Sequence, residues 1–561
     1  MITNKKLLQA VVAAIALLPV SLAAQSETDA IRYSRTELGG SARYSAMAGA
    51  MGAVGVDYSS LRQNPAGSAL NRRDLVISFT ANYNQDSWDA TWKGNRNNQK
   101  GGGLSFEELS LMWKFPSLDD NITYAFGVQR ECDFNRKVDI SAASPGASLA
   151  DYVSAMINNM QRKGNLIPHK NLSNKNFQNS STPWIGILGY EGGWIDSNDP
   201  AGGLYFPRYV YDGKIELPQS AEIQLQESGE KWRYDANFSF DIDDNLFLGI
   251  GVDFHTLVYQ AKSNYTEFYL QDEKDKKKDY LGLDGLVKAT GSGVGFNFGV
   301  IYAPIPELRL GAAYYSPTWW SMRREYVATG SSRYGGDRAQ TNSKGEIVKT
   351  LSIETPQGMS AYALRTPWRF TASLASILGQ RAILSVDYEY RNLGSNRFGD
   401  EEDASDASYI GDNQAIKEDF GHEHTLRIGA EFRVTNRFSL RAGGMLRNQP
   451  VKNSRINDYT KGQEQEVYVA GTTPHYVLPD KSSALTCGFG YRLSPNWSLD
   501  VAFLWQQYRS HLITFPFIND EGPLLDPKVG ASTQAEPRPT QLPIELNRHK
   551  FSSSVTLLYR F

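Results

Sequence analysis

Beyond residue 74 the chain repeatedly places apolar and polar residues in strict alternation. "DLVISFTANYN" (74–84) sets Leu75, Ile77, Phe79, Ala81 and Tyr83 against Val76, Ser78, Thr80 and Asn82. "WRYDANFSF" (232–240) sets Trp232, Tyr234, Ala236, Phe238 and Phe240 against Arg233, Asp235, Asn237 and Ser239. "HTLRIGAEFRV" (424–434) and the final run "FSSSVTLLYRF" (551–561) follow the same rule. A period of two held this long predicts strands with one apolar and one polar face.

Fourteen such strands are predicted, at roughly 74–84, 106–116, 121–135, 229–241, 245–262, 293–304, 307–317, 367–378, 381–392, 423–434, 436–447, 482–493, 496–510 and 548–561. Their connections alternate in length. "FPSLDDN", "DIDDN", "YAPIPEL", "LGQR", "VTNR" and "LSPN" are short turns, whereas the insertions at about 85–105, 136–228, 263–292, 318–366, 393–422, 448–481 and 511–547 are long. A water-soluble sandwich has no reason to keep every second connection long. An outer-membrane barrel does, with short periplasmic turns and long extracellular loops. Lipid also requires every backbone group to be paired, so the sheet must close. The expected fold class is all-β, a 14-stranded antiparallel transmembrane β-barrel with both ends in the periplasm. Trp113, Trp232, Trp497, Trp505 and Tyr559 near strand ends suit interfacial girdles. The terminal "VTLLYRF" looks like the signal read by the bacterial barrel-assembly machinery, which makes that machinery an expected partner in biogenesis.

The first residues agree with export. Lys5 and Lys6, an apolar run from Leu7 and small residues near Ala23 and Ala24 predict a signal peptide over 1–24, and hence a bacterial outer-membrane location. No later stretch reaches the ~18 apolar residues of a spanning helix. Aromatics make up 12% of the 561 residues, with 30 tyrosines, as expected when alternation spreads hydrophobicity along strands. A net charge of −3 gives no reason to expect nucleic acid. Cys132 and Cys487, in distant segments, do not make a disulfide scaffold. Ahead of the first strand, "QNPAGSAL" (63–70) belongs in a compact, turn-rich segment. Residues 25–73 therefore read as a small N-terminal unit and 74–561 as the barrel, with 136–228 its longest loop.

The sequence offers no catalytic constellation: G-x-S-x-G, H-E-x-x-H and C-x-x-C do not occur. Neither an enzyme nor a cofactor is expected. His422 and His424 would need a third ligand to hold a metal, and "DIDDN" (241–245) lacks the glycine and distal glutamate of a calcium loop. "DEKDKKKD" (272–279) reads as a solvated loop tip or as a contact for lipopolysaccharide phosphates. The polar strand faces carry Asp387, Glu389, Arg391, Arg427, Glu431, Arg433, Arg441, Arg492 and Asp500. In a barrel lumen these would form a cross-strand network, or one arginine would meet a substrate carboxylate. In the second loop, "SLADYVSAMINNMQRK" (148–163) aligns Leu149, Tyr152, Val153, Met156, Ile157 and Met160 on one helical face. That face either packs on the loop's own Trp184, Trp194, Tyr205 and Phe206 or offers a methionine-rich surface to hydrophobic ligands.

Several segments resemble the FadL-type outer-membrane transporters of long-chain fatty acids and other hydrophobic molecules. "GGSARYSAMAGAMGAVGVDYSSLRQNPAG" (39–67) is similar to the family's N-terminal hatch, and 366–393, 424–444 and 488–503 are similar to its later strands. The resemblance implies a fourteen-stranded barrel holding the hatch in its lumen, with Asn64, Pro65, Ala66 and Gly67 in that hatch. It also implies capture of a hydrophobic small molecule among the extracellular loops. Ligand would then be released sideways into outer-membrane lipid through an inward kink in strand 3, "NITYAFGVQRECDFN" (121–135). Gly127, the only glycine of that strand, is the expected kink. Ser68 follows Asn-Pro-Ala-Gly where the family commonly has an apolar residue.

Two other functions compete. A haem receptor could use His169, His255 or His475 as an axial ligand, though no spacing selects among them. A general porin would not need a plug ahead of its first strand.

Overall fold

A computed structural model describes residues 26–114, 122–162, 167–177, 182–197, 204–211, 214–271, 277–335, 340–341, 347–379, 381–401, 407–452, 472–516 and 542–561. The expected signal peptide and most of the run 272–279 lie outside the described residues. No helix among them is long and apolar enough to cross a membrane.

The wall is one antiparallel sheet closed on itself. Its strands are β1 (Leu75–Trp92), β2 (Asn95–Lys114), β3 (Ile122–Asp133), β4 (Arg136–Ala143), β5 (Ser220–Ile242), β6 (Leu246–Gln271), β7 (Lys278–Ile305), β8 (Leu308–Tyr315) and β9 (Trp319–Arg333). They continue as β10 (Gly358–Arg365), β11 (Arg369–Leu378), β12 (Ala382–Asn392), β13 (His422–Arg433), β14 (Phe438–Arg447), β15 (Tyr476–Arg492), β16 (Trp497–Ile513) and β17 (Ile544–Arg560). Three positions in the wall are split into two segments: β3 with β4, β8 with β9, and β10 with β11. That leaves the fourteen positions expected from the loop alternation. Pairing of β1 with β17, from Val76↔Arg560 to Thr91↔Glu545, closes the ring.

Lipid on one side and a filled lumen on the other dictate which residues face where. On β5 the outward Tyr234, Phe238, Phe240 and Ile242 are exposed, while Arg233, Asp235, Asn237, Ser239 and Asp241 are buried. Apolar outside and polar inside reverses the arrangement of a soluble sheet. The outward apolar run from Trp232 to Ile242 matches the ~9–11 residues a tilted strand needs to span a bilayer.

The strands do not stop there. β6 has 26 residues and β7 has 28, so both rise well beyond the membrane. Segments 85–105, 263–292 and 318–366, expected as loops, are largely continuations of the flanking strands. The reason is a change of phase. On β1, Phe79 and Tyr83 point out, but farther up Trp88, Ala90 and Trp92 point in and are buried. β6 changes likewise, from outward Ile250 and Phe254 to inward Leu257, Tyr259 and Tyr265. Once lipid gives way to water outside, apolar side chains belong inside. The inward apolar residues of these extensions form one core with helices α3 (Leu149–Arg162) and α4 (Trp184–Glu191) of the second loop, and this core caps the barrel.

Residues 26–74 fill the lumen beneath the cap. They contain helices α1 (Glu27–Ser34) and α2 (Ala42–Ala46) and two 3-10 turns, Tyr58–Arg62 and Pro65–Leu70. Nearly all of this segment is buried against inward strand faces.

Candidate functional site

The plug is held first by fit. Asn64 opens the turn Pro65–Leu70: its side-chain oxygen accepts from the Ala66 amide at 3.0 Å, and its Nδ2 donates to the Val300 carbonyl at 3.0 Å. Proline suits the first position of such a turn because its missing N–H would be unpaired there anyway. Asn237 Nδ2 donates to the Pro65 carbonyl at 3.2 Å, and Ser68 Oγ donates to Asn237 Oδ1 at 2.6 Å. A Cβ at Gly299 would lie 2.7 Å from Pro65 Cδ, and one at Gly249 would collide with the Pro65 carbonyl carbon. Gly67 passes close to Ser60 and Gly55. The stretch Asn64, Pro65, Ala66 and Gly67 thus docks on glycines of β6 and β7 and on the Asn237 side chain of β5. Ser68 supplies a wall hydrogen bond that an apolar residue could not.

Charge holds it as well. Arg43 of α2 donates to Glu431 at 2.8 Å, Arg441 donates to the same carboxylate at 2.8 Å, and Arg441 also reaches Asp500 at 2.6 Å. Arg427 pairs with Glu389 at 3.0 Å. Near the top of the plug, Glu37 accepts from Arg548 at 2.9 Å and from Lys550 at 3.0 Å, and it also pairs with Arg35. Burial alone would raise the Glu37 carboxyl, but Lys550 and Arg548 hold it well below the ordinary carboxylate range. Arg433 and Arg492 are exposed at the short-turn end and make no ion pair among the described residues. Alternation fixes the face a residue takes but not its depth, which is why the sequence pattern places these two with the lumen charges.

Beside the plug the wall is irregular. The β2–β3 ladder runs from Lys114↔Thr123 to Glu108↔Gln129 and stops there, while β2 continues up to Asn95 paired with β1 alone. β3 turns inward: Gln129, Arg130, Glu131, Cys132 and Asp133 are all buried, on both alternating faces. Its pairing with β5 slips between Arg130 and Cys132, and β2 carries a bulge that turns both Glu107 and Glu108 inward. The Glu131 carbonyl accepts from the plug's Glu37 amide at 2.9 Å. Gly127, expected at the bend, is paired regularly with Ser110 and Asp235; the departure begins after Gln129. What Gly127 makes room for is Tyr58 of the plug, whose ring carbon would lie 2.6 Å from a Cβ there. The Tyr58 hydroxyl donates to Asp235 at 2.9 Å.

Where β3 leaves the wall, side chains fill the opening. Arg130 donates to Glu107 at 2.8 Å, to Glu230 at 3.2 Å and to Ser105 at 2.9 Å. On the lipid side, Phe106 of β2 stacks on Trp232 of β5 with centroids 5.5 Å apart. Alternation alone does not single out Arg130, Glu107, Glu230 or Phe106. A signal was there in "FEEL" (106–109), where two adjacent acids interrupt the alternation, and in the charged run "RECD" (130–133) within a strand.

In the cap, α3 turns Leu149, Tyr152, Val153 and Ile157 inward, all buried; Met156 and Met160 pack at the edge and are partly buried. A Cβ on Gly189 of α4 would lie 2.8 Å from the Val153 side chain, so the two helices are in close contact. Asn158 exchanges hydrogen bonds of 2.9 Å with the Tyr205 backbone. The three histidines weighed as haem ligands are not brought together. His169 bonds Tyr190 at 3.2 Å in the cap, and His255 pairs with Glu131 at 3.3 Å in the lumen. His475 bonds the Thr514 carbonyl, and burial pushes its pKa down to about 4. On the outer face, His422 and His424 accept or donate to Tyr390 (2.7 Å) and Tyr388 (2.6 Å).

Residues 226–528, more than half of the chain, match the family described as Outer membrane protein transport protein (OMPP1/FadL/TodX). The chain belongs to this family. It is an outer-membrane protein, and the FadL/TodX pattern accounts for the closed fourteen-stranded wall. A Pseudomonas aeruginosa FadL homologue is similar at 13% identity, covering 94% of this chain and 98% of its own, with a TM-score of 0.48. The P. putida toluene transporter TodX is similar at 12% identity, with 93% and 99% coverage and a TM-score of 0.46. The Ralstonia pickettii toluene transporter TbuX is similar at 13% identity, with 93% and 99% coverage and a TM-score of 0.42. No curated protein matches the chain. Relative to the FadL/TodX family as a whole, the matched region takes in β6 through β16 and leaves out the plug.

Proposed function

We propose that this protein carries hydrophobic small molecules, such as fatty acids or aromatic hydrocarbons, into the outer membrane, and that they leave the barrel sideways where β3 turns inward. The observation that carries this reading is the end of the β2–β3 ladder at Glu108↔Gln129, beside a lumen filled by residues 26–74. A straight path to the periplasm would run through that packed, charged segment. A lipid-like molecule gains roughly 0.8 kcal/mol for each CH₂ it buries, so a route into the bilayer suits it better than a wet pore. Residues 26–74 act as the hatch. Capture falls to the cap, with Met156 and Met160 the adaptable edge of the α3 face.

Proteoliposomes containing the purified barrel test this with labelled oleate and toluene. Uptake above that of empty liposomes is expected for at least one of them, together with a hydrophobic molecule found by mass spectrometry in the purified protein. Binding of haemin with a Soret shift, and no uptake of either probe, would overturn the reading.

A further inference from the structure

The short-turn end of the barrel, which faces the periplasm, carries arginines with no role in the transport proposed above. Arg381 precedes β12, Arg433 closes β13, Arg437 lies in the β13–β14 turn, Arg492 closes β15 and Arg560 closes β17. Backbone bonds set them side by side. The Arg433 amide donates to the Arg381 carbonyl at 2.7 Å, and the Arg492 amide donates to the Arg437 carbonyl at 2.8 Å. Arg560 Nη1 donates at 2.7 Å to Ser498 Oγ, and Ser498 is the cross-strand neighbour of Arg492. Arg73, just ahead of β1, and Arg492 both act electrostatically on Arg560. Arg381, Arg433, Arg437 and Arg492 are exposed, and none of these four or Arg560 makes an ion pair among the described residues. Glu431 and Asp500, farther up the inward faces, are already engaged by Arg43 and Arg441. Alternation decides where the arginines point. Phe432 and Val434 flank Arg433, Tyr491 and Leu493 flank Arg492, and all four are outward and exposed. Arg433 and Arg492 therefore face the vestibule below the plug, away from the phospholipid head groups outside the ring.

We propose that this arginine collar docks an acidic segment of a periplasmic protein partner. Like charges on adjacent strands oppose folding, so five of them left without acids contribute nothing to the stability of the wall. Neighbouring strands lie ~4.8 Å apart, and the collar from β12 to β17 covers an arc of roughly 25 Å. One carboxylate or phosphate meets one or two guanidinium groups there, whereas a chain of repeated carboxylates meets the whole arc. The planar fork of each guanidinium matches a carboxylate. Across the mouth the sign reverses: Asp243 and Asp244 in the β5–β6 turn and Glu307 in the β7–β8 turn are exposed. These acids repel the same chain and so hold it to the β12–β17 side, which gives the partner one orientation. The docking is independent of which molecule the barrel carries.

Full-length protein in phosphatidylcholine nanodiscs presents both mouths to solvent. A fluorescent oligoglutamate peptide should bind, read by anisotropy, and weaken as salt screens the charges. Arg381→Gln, Arg433→Gln, Arg437→Gln and Arg492→Gln together should weaken binding roughly thirtyfold, each exposed charge pair being worth about a factor of two to three. Replacing four exposed cations at the opposite end, by Arg96→Gln, Lys100→Gln, Lys137→Gln and Lys262→Gln, should change it by less than about twofold. Assembly of each variant is checked by heat-modifiable mobility on gels. A photoreactive oligoglutamate on wild-type protein should crosslink to residues 433–438 and 491–497, which locates the site without any variant. Monomeric glutamate at the same carboxylate concentration should not displace the peptide. Native mass spectrometry should find equal phosphatidylglycerol retained by wild type and by the four-arginine variant. Unchanged affinity in that variant, or crosslinks confined to the long-loop end, overturns the collar as a docking site. Displacement by monomeric glutamate makes it a simple anion site, and loss of bound lipid from the variant assigns it to head groups; either result overturns the protein partner.

Discussion

Replacing Glu37 by Gln should unseat the plug while leaving the barrel intact. Glu37 is 7% exposed and its two oxygens serve Arg548 at 2.9 Å and Lys550 at 3.0 Å, so glutamine keeps the shape and removes the charge. Arg548 retains Asp86 at 2.7 Å and Asp133 at 3.3 Å, whereas Lys550 keeps only Asp133, at 3.6 Å. Breaking a buried ion pair costs about 3–5 kcal/mol, and the surviving partners place this case near 3 kcal/mol. At ~1.4 kcal/mol per decade, the undocked population should rise about a hundredfold. Single-channel recording in planar bilayers reads this directly as more frequent openings, with unit conductance set by the unobstructed lumen. Acidification should act in the same direction. The Glu37 carboxyl lies well below its ordinary value, so its contribution is fully present above the unfolded value of about 4.3 and is lost as pH falls below it. The Glu37→Gln variant should show a weaker acid response than wild type. An unchanged opening frequency in that variant at neutral pH would refute the argument that this ion cluster anchors the plug.

Gly299→Val introduces atoms where Pro65 and the Asn64 side chain sit, and should raise channel openings without lowering barrel yield, read by the same recordings. Ile157→Ala removes a fully buried side chain from the α3–α4 contact at a cost of about 2–5 kcal/mol. Proteolysis of the loops should accelerate while heat-modifiable mobility persists. Ile250→Arg, on the lipid face beside Phe238 in the middle of the membrane run, should destabilise the barrel by about 2–4 kcal/mol in a urea titration in lipid, whereas Gln260→Arg, farther up the same strand, should have almost no effect.

How much of this the sequence could disclose depends on what surrounds each residue. The membrane half was legible because lipid outside and a charged lumen inside impose one phase of alternation, as at Trp232 through Phe240. The outer half reads as loops because the phase reverses between Tyr83 and Trp88 and between Phe254 and Leu257, which breaks the pattern into pieces. The role of Asn64 and Pro65 came from likeness to a family, and the glycines that receive them lie more than 180 residues away in the chain, at Gly249 and Gly299. A glycine is the natural place to expect a bend in β3, but the chain turns where charged side chains meet partners inside the lumen. Arg130 is drawn in by Glu107, and the Glu131 carbonyl by the plug's Glu37 amide. Such partners are chosen by three-dimensional neighbours and leave only an interrupted alternation as their trace.

The reversal of phase along β1 and β6 means that one continuous set of strands is stabilised by two different solvents. Below Trp232 the apolar side chains are satisfied by hydrocarbon, and detergent or lipid chemistry governs whether the wall holds. Above it, water drives the same strands to fold around their own interior, as in any soluble protein. Urea should therefore melt the cap at concentrations that leave the bilayer-embedded ring closed, and a change of lipid thickness should strain the ring while the cap stays folded. The two halves share a backbone but answer to separate variables, so the outer half can loosen to admit a molecule without loosening the protein's hold on the membrane.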